Sequence, residues 1–100
     1  MPGVYALLRA HDAALVVANH PRRAFQTRAL TARWTFLRFH YGRRWRNGNY
    51  SATELACWAS TIARWRTEVY VYAYFNNDWE AFAVRNALRL RAAVAAAVPR

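Results

Sequence analysis

The run VYVYAYF, Val69 to Phe75, decides the fold. Apart from Ala73, every residue in it is β-branched or aromatic, the composition of a strand. It is too short for a helix and apolar on both faces, which marks a buried strand of a parallel sheet. It stops abruptly at NNDWE, Asn76 to Glu80. Asp78 stands where an N-cap would start a last helix carrying Trp79, Ala83, Ala87, Leu90 and Val94 on one side. Pro99 ends that helix in an alanine-rich tail.

Upstream of the strand, Ser51 and Glu54 have the three-residue spacing of a capping box. The helix they open carries Leu55, Trp58, Ile62 and Trp65 at steps of 3, 4 and 3, one apolar face. Before it lies RFHYGRRWRNGNYS, Arg38 to Ser51, a loop with four arginines. That loop follows a second β-run, WTFLRFH, Trp34 to His40. Alternation puts Trp34, Phe36, Arg38 and His40 on one face and Thr35, Leu37 and Phe39 on the other. Residues 21–33 show no period and read as loop. ALVVA, Ala14 to Ala18, is a third short β-run, ended by NHP at Pro21. A helix end over Val4 to Ala10 precedes it, with Tyr5 and Leu8, and Leu7 beside them, on its apolar side.

The order is helix, strand, loop, strand, helix, strand, helix. Such alternation implies a parallel sheet with right-handed crossovers. Parallel strands want both faces covered, and three strands with so few helices leave much of the sheet bare. The chain therefore reads as part of a larger α/β protein. Its uncovered surface calls for a missing N-terminal part, which the family resemblance below makes a barrel half, or for a self-association partner.

One hundred residues bound the chain to one domain, and 56% apolar content marks a folding sequence. Ordering it costs on the order of 100–200 kcal/mol of conformational entropy, so most of its aromatic residues are expected inside. The formal net charge is +10. All 15 basic residues are arginine, and 21 residues are alanine; both have GC-rich codons, which accounts for part of the basicity. The charge still implies salt-dependent attraction to polyanions. The single cysteine, Cys57, excludes an internal disulfide and a multi-cysteine zinc site, and suits a reducing cytoplasm. Its flanks read as a helix face, so a buried, inert thiol is expected. No apolar run approaches the ~20 residues of a membrane span, and the N-terminus lacks a signal-peptide pattern.

The sequence from Leu37 to Trp65, followed by Val69 to Leu90, resembles the C-terminal part of the YecE-like family, also called domain of unknown function 72. The ordered features are a strand ending in Arg-x-His, a Gly-containing loop ending in Tyr-Ser, a helix with Glu-Leu and Trp-Ala, a strand ending in YFNN, and a helix carrying NAL. The upstream ALVVAN is similar to the preceding strand of the family. The resemblance covers roughly residues 4–92. It implies a TIM-barrel-like α/β fold of well over twice this length, of which this chain supplies the last three strands and their helices. Residues 1–100 would then form a partial β/α-barrel domain, and Met1 would be an internal or misassigned start, or the scar of a truncated gene. The family has no established activity, so the resemblance implies a fold and no reaction. The chain departs from the family pattern twice. Asn19 stands where relatives usually have aspartate, which removes a carboxylate base or metal ligand. Trp45 stands where relatives tend to have glycine.

TIM barrels place their sites at the C-terminal ends of the strands. The residues at those ends are Asn19, Arg38 with His40, and Asn76 with Asn77. They are the candidate ligand-binding residues, with Arg38 and His40 the catalytic candidates. Arg38 would stabilise negative charge, and His40 would act as acid, base or donor. The competing structural reading pairs Arg38 with a carboxylate from outside the chain and has the asparagines satisfy loop backbone. Barrels often bind phosphate with the loops after their last two strands, and here one such loop carries Arg43, Arg44 and Arg46. Those three arginines are also the candidate phosphate or nucleic-acid rim. There is no P-loop and no Gly-x-Gly-x-x-Gly, and no cofactor is expected. His11, His20 and His40 lack ligand spacing, so no metal is expected. His11 and His20 read as surface residues.

Two functions from different classes fit these residues. One is an enzyme part whose pocket at the strand ends takes a phosphate-bearing small molecule or a nucleic-acid-related ligand. The other is a non-catalytic module that grips nucleic acid on its arginine-rich rim, with Tyr41, Trp45 and Tyr50 for stacking. A third possibility is a truncated chain that is inactive alone.

Overall fold

The computed structural model describes residues 2–19, 29–39, 49–77 and 81–97. Its elements, in order, are α1 (Pro2–Ala10), β1 (Val16–Asn19), β2 (Trp34–Phe39), α2 (Ala52–Trp65), β3 (Tyr70–Phe75) and α3 (Phe82–Ala96). The three strands form one parallel sheet in the order β1-β2-β3. Val16 pairs with Phe36 and Phe36 with Tyr72; at the far end Asn19 pairs with Phe39 and Phe39 with Phe75. All three strands therefore end level.

One face of the sheet carries the core. Thr35, Leu37 and Phe39 are buried there with Val17, beneath Leu55, Trp58, Ile62 and Trp65 of α2 and Leu90 of α3. The alternation read on β2 is thus the observed one. Ser51 Oγ accepts from the Glu54 N–H at 3.1 Å, and the Ser51 N–H donates to Glu54 Oε1 at 3.0 Å. That reciprocal box satisfies two donors at the start of α2.

The opposite face is bare. Trp34 is 37% exposed, and Tyr70, Tyr72 and Tyr74 are 76%, 50% and 55% exposed. This corrects the expectation that most aromatic residues lie inside and that β3 is covered on both sides: the helices of this chain reach one face only. Trp34 meets Tyr72 edge-on at 6.4 Å, and Phe36 stacks on Tyr74 at 4.8 Å. These cross-strand pairs are the packing the face has.

Three helix readings need correction. Cys57 is exposed, not buried, because it falls between the inward residues Leu55 and Trp58 on the outer side of α2. Asp78 lies outside the described residues, and the N-cap of α3 is Ala81, with φ 61° and no side-chain cap. The inward stripe of α3 runs through Asn86 and Leu90 toward Ala93, Val94 and Ala97, while Ala87 is exposed. A polar residue at its centre hid that stripe from a hydrophobicity pattern. On α1, Tyr5 and Leu8 are half-buried, but Leu7 is 62% exposed.

The entry to the sheet is pinned by side chains. Thr31 Oγ1 accepts from the Leu15 N–H at 3.1 Å and donates to the Ala13 carbonyl at 2.6 Å. After α1, the Asp12 N–H donates to the Arg9 carbonyl and the Ala13 N–H to the Leu8 carbonyl, a Schellman ending with Asp12 left-handed at φ 53°. Glycine is usual in that place. Aspartate tolerates it better than most residues, and its carboxylate has work here. The Arg33 N–H donates to Asp12 Oδ1 at 2.7 Å, and Arg33 Nε and Nη2 donate to Oδ2 at 3.3 and 3.2 Å. These bonds, the backbone one first, hold the Asp12 carboxyl below its ordinary pKa of 3.8. A lowered carboxylate pKa adds stability that is present above the unfolded value and lost as pH falls through the folded one. Asp12→Asn is therefore expected to flatten the acid limb of the stability curve below about pH 4 and leave the neutral-pH fold intact, as read by urea midpoints across pH. The effect is small because the pair is open to solvent.

Candidate functional site

Level strand ends bring three of the predicted site residues, Asn19, Arg38 and Asn76, to one end of the sheet. Arg38 is the last but one residue of β2, on the bare face and exposed. Asn76 directly follows β3, and its N–H donates to the Phe39 carbonyl at 2.9 Å, extending the ladder by one bond. Arg38 Nε donates to Asn76 Oδ1 at 3.3 Å. Two of the candidate residues thus meet across adjacent strands.

Asn77 goes elsewhere. It is 4% exposed, and its Nδ2 donates to Asn86 Oδ1 at 2.6 Å. Successive residues leave a strand on opposite faces, so Asn76 stays with Arg38 while Asn77 turns toward the helices. The asparagine pair that sequence reading grouped is split between an exposed strand edge and a buried network.

Asn86, at the hub of that network, is fully buried. Its Oδ1 also accepts from the Tyr50 N–H at 3.2 Å, and its Nδ2 donates to Asn49 Oδ1 at 2.9 Å. Sequence reading noted Asn86 within NAL and gave it no role. A polar residue interrupting the inward stripe of α3 was the available signal. Tyr50, expected as a stacking residue for nucleic acid, is fully buried with its ring edge-on to Phe39 and Phe75. The apolar side of the loop's return anchors it in the core, so that role is withdrawn.

Asn19 closes β1 in register with Phe39. Its side chain lies outside the described residues, as do His20, His40, Tyr41, Arg43, Arg44, Trp45 and Arg46. His11 is exposed just past α1, at the opposite end of the strands from Asn19, Arg38 and Asn76. Among the described residues no cluster of His, Cys, Asp or Glu could hold a metal ion, and no helix is long and apolar enough to cross a membrane.

The bare face also holds a concavity of about 600 Å³, walled by Trp34, Phe36, Tyr70, Tyr72 and Tyr74, with Asp12 and Arg33 at its lower end. It runs along the strands from Tyr70 at the start of β3 to Tyr74, which pairs with Arg38. In a closed barrel that space is filled by layers of side chains from the other strands. Its walls are aromatic, with the Asp12–Arg33 ion pair at one end.

With this geometry in place, the sequence profile of the family described as "Protein of unknown function DUF72" matches residues 1–100. The chain belongs to the DUF72 family. A search of curated proteins gives no match. Among solved structures, a DUF72 family protein from Enterococcus faecalis V583 superposes with a TM-score of 0.77 at 18% identity, over 94% of this chain and 41% of its own. A DUF72 family protein from Thermotoga maritima MSB8 also gives 0.77, at 23% identity, over 90% of this chain and 40% of its own. The chain therefore spans about two fifths of the length of these DUF72 structures. The fold is α/β and TIM-barrel-like, with three parallel strands of that fold present here.

Proposed function

We propose that the C-terminal ends of β1, β2 and β3 form one wall of a site for a phosphate-bearing ligand, with Arg38 as its cationic residue. The observation that carries this reading is the Arg38–Asn76 hydrogen bond at 3.3 Å. Asn76 is held by the backbone of Phe39, so it fixes the guanidinium at Nε and leaves the planar Nη fork for an oxyanion. Arginine presents that fork in a geometry matched to phosphate. Arg43, Arg44 and Arg46 add charge from the loop that follows β2, a loop position barrels use for phosphate. Asn19 adds a polar group at the end of β1. His40, two residues after Arg38, takes the proton-transfer role in any reaction at this site. The unpaired, exposed Cys57 suits the reducing cytoplasm.

Calorimetric titration of the full chain with inorganic pyrophosphate tests the reading. Arg38→Ala is expected to weaken binding at least tenfold, and Arg38→Lys to recover part of it, since lysine keeps the charge but not the fork. Unchanged affinity in Arg38→Ala would remove the site. Polyanion binding that ignores Arg38 and disappears with Arg43, Arg44 and Arg46 would support the rim module instead.

A further inference from the structure

We infer that Asn86 is a positioning residue that ties Asn49 and Tyr50, where the loop after β2 re-enters the fold, to the end of β3, an inference that rests on the site proposed above. The loop after β2 returns to the fold at Asn49 and Tyr50, immediately before the Ser51 cap of α2. β3 leaves the sheet through Asn76 and Asn77. These two segments are remote in sequence, and Asn86 touches both. Its Oδ1 takes the Tyr50 N–H at 3.2 Å and Asn77 Nδ2 at 2.6 Å; its Nδ2 gives a hydrogen bond to Asn49 Oδ1 at 2.9 Å.

The three bonds use both the acceptor and the donor of one amide group. A carbonyl oxygen has two lone pairs, and both find donors here, one from each segment. The amide nitrogen then reaches a second group of the loop stem. Aspartate would keep the acceptor and set an oxygen against Asn49 Oδ1. Leucine would fill the volume and strand the Tyr50 N–H. Full burial raises the cost of either loss, because water does not reach the site to replace the partner. The node sits directly under the residue pair that divides at the strand end: Asn77 is tied down to Asn86, and Asn76 is left beside Arg38. Holding Asn77 fixes where Asn76 stands, and holding Asn49 and Tyr50 fixes where the arginine loop re-enters.

A structural role alone would make Asn86→Leu behave like any core substitution in α3. Leu90→Ala serves as that control, because Leu90 is buried in the same helix one turn on and touches none of the site residues through a hydrogen bond. The positioning role predicts that Asn86→Leu weakens pyrophosphate binding at least tenfold, while Leu90→Ala lowers the melting temperature and leaves affinity within twofold. Equal affinity losses in the two variants would overturn it. Asn49→Ala, which removes one bond at the loop stem, gives the milder version of the test, with a threefold or greater loss expected, should Asn86→Leu fail to fold. Amide exchange at Tyr50 separates this inference from the ligand reading. If the parent chain binds no pyrophosphate, the site proposal fails. Faster Tyr50 exchange, by tenfold or more, in Asn86→Leu than in Leu90→Ala would still support the node. Equal exchange would remove it.

Discussion

Phe39→Ala is expected to abolish the cooperative folding transition of this chain at room temperature. Phe39 is completely buried at the end of β2. It stacks on Phe75 with ring centroids 4.5 Å apart and meets Tyr50 and Trp58 edge-on at 5.4 and 5.3 Å. One ring thus joins β2, β3, the loop stem and α2. Truncating a buried phenylalanine costs about 3–5 kcal/mol, and a small domain holds only about 5–15 kcal/mol in total. A sheet covered on one face sits toward the low end of that range. Urea denaturation followed by far-ultraviolet circular dichroism reads the effect. Phe36→Ala is the matched control, three residues earlier on the same strand but on the bare face, stacked on the exposed Tyr74. Its expected loss is about 1 kcal/mol, that of a cross-strand pair. Equal losses at the two positions would contradict the one-sided core.

The contrast between Phe36 and Phe39 also shows what the sequence could and could not convey. Alternation on β2 assigns the two rings to opposite faces correctly, because the period of a strand is geometric and local. The helix α2 is equally legible: its cap and its apolar steps are both local signals, and both are realised. What alternation cannot say is which faces find a cover. β3 reads as buried on both sides because it is apolar on both faces, yet its tyrosines are exposed because the described helices pack on the other face of the sheet. The start and inner face of α3 were misread for a different reason. Its inward centre is Asn86, and a polar residue satisfied by three remote partners reads only as a gap in a hydrophobic pattern.

The candidate site divides along the same line. Arg38 and Asn76 were legible because strand ends in this fold class converge on one edge, and register alone brings them together. Asn77 and Tyr50 were misassigned because their neighbours are set by tertiary hydrogen bonding and packing. Tyr50 sits at the end of a basic, aromatic loop and shares its composition, yet its backbone N–H is held by Asn86 and its ring fills the core under Phe39. Composition groups residues by kind, whereas the fold separates them by direction.

Binding of single-stranded DNA to this chain is expected to weaken by orders of magnitude between 50 and 200 mM salt. The net charge of +10 carries no compensating acidic cluster, with 5 acidic residues against 15 arginines. Each phosphate neutralised on a single strand releases a counterion and contributes about 0.7 to the slope of log affinity against log salt. Replacing Arg43, Arg44 and Arg46 together by alanine is expected to lower that slope by about two units. Arg38→Ala is expected to lower it by less than one and to act instead on pyrophosphate binding. Fluorescence anisotropy with a labelled oligothymidine, repeated across salt concentrations, measures both. A slope that the triple substitution leaves unchanged would show that the field comes from arginines spread over the helices, and would remove the loop as a polyanion rim. A triple substitution that lowers the DNA slope and leaves pyrophosphate affinity intact would separate the rim from the Arg38 site as two surfaces with two ligands.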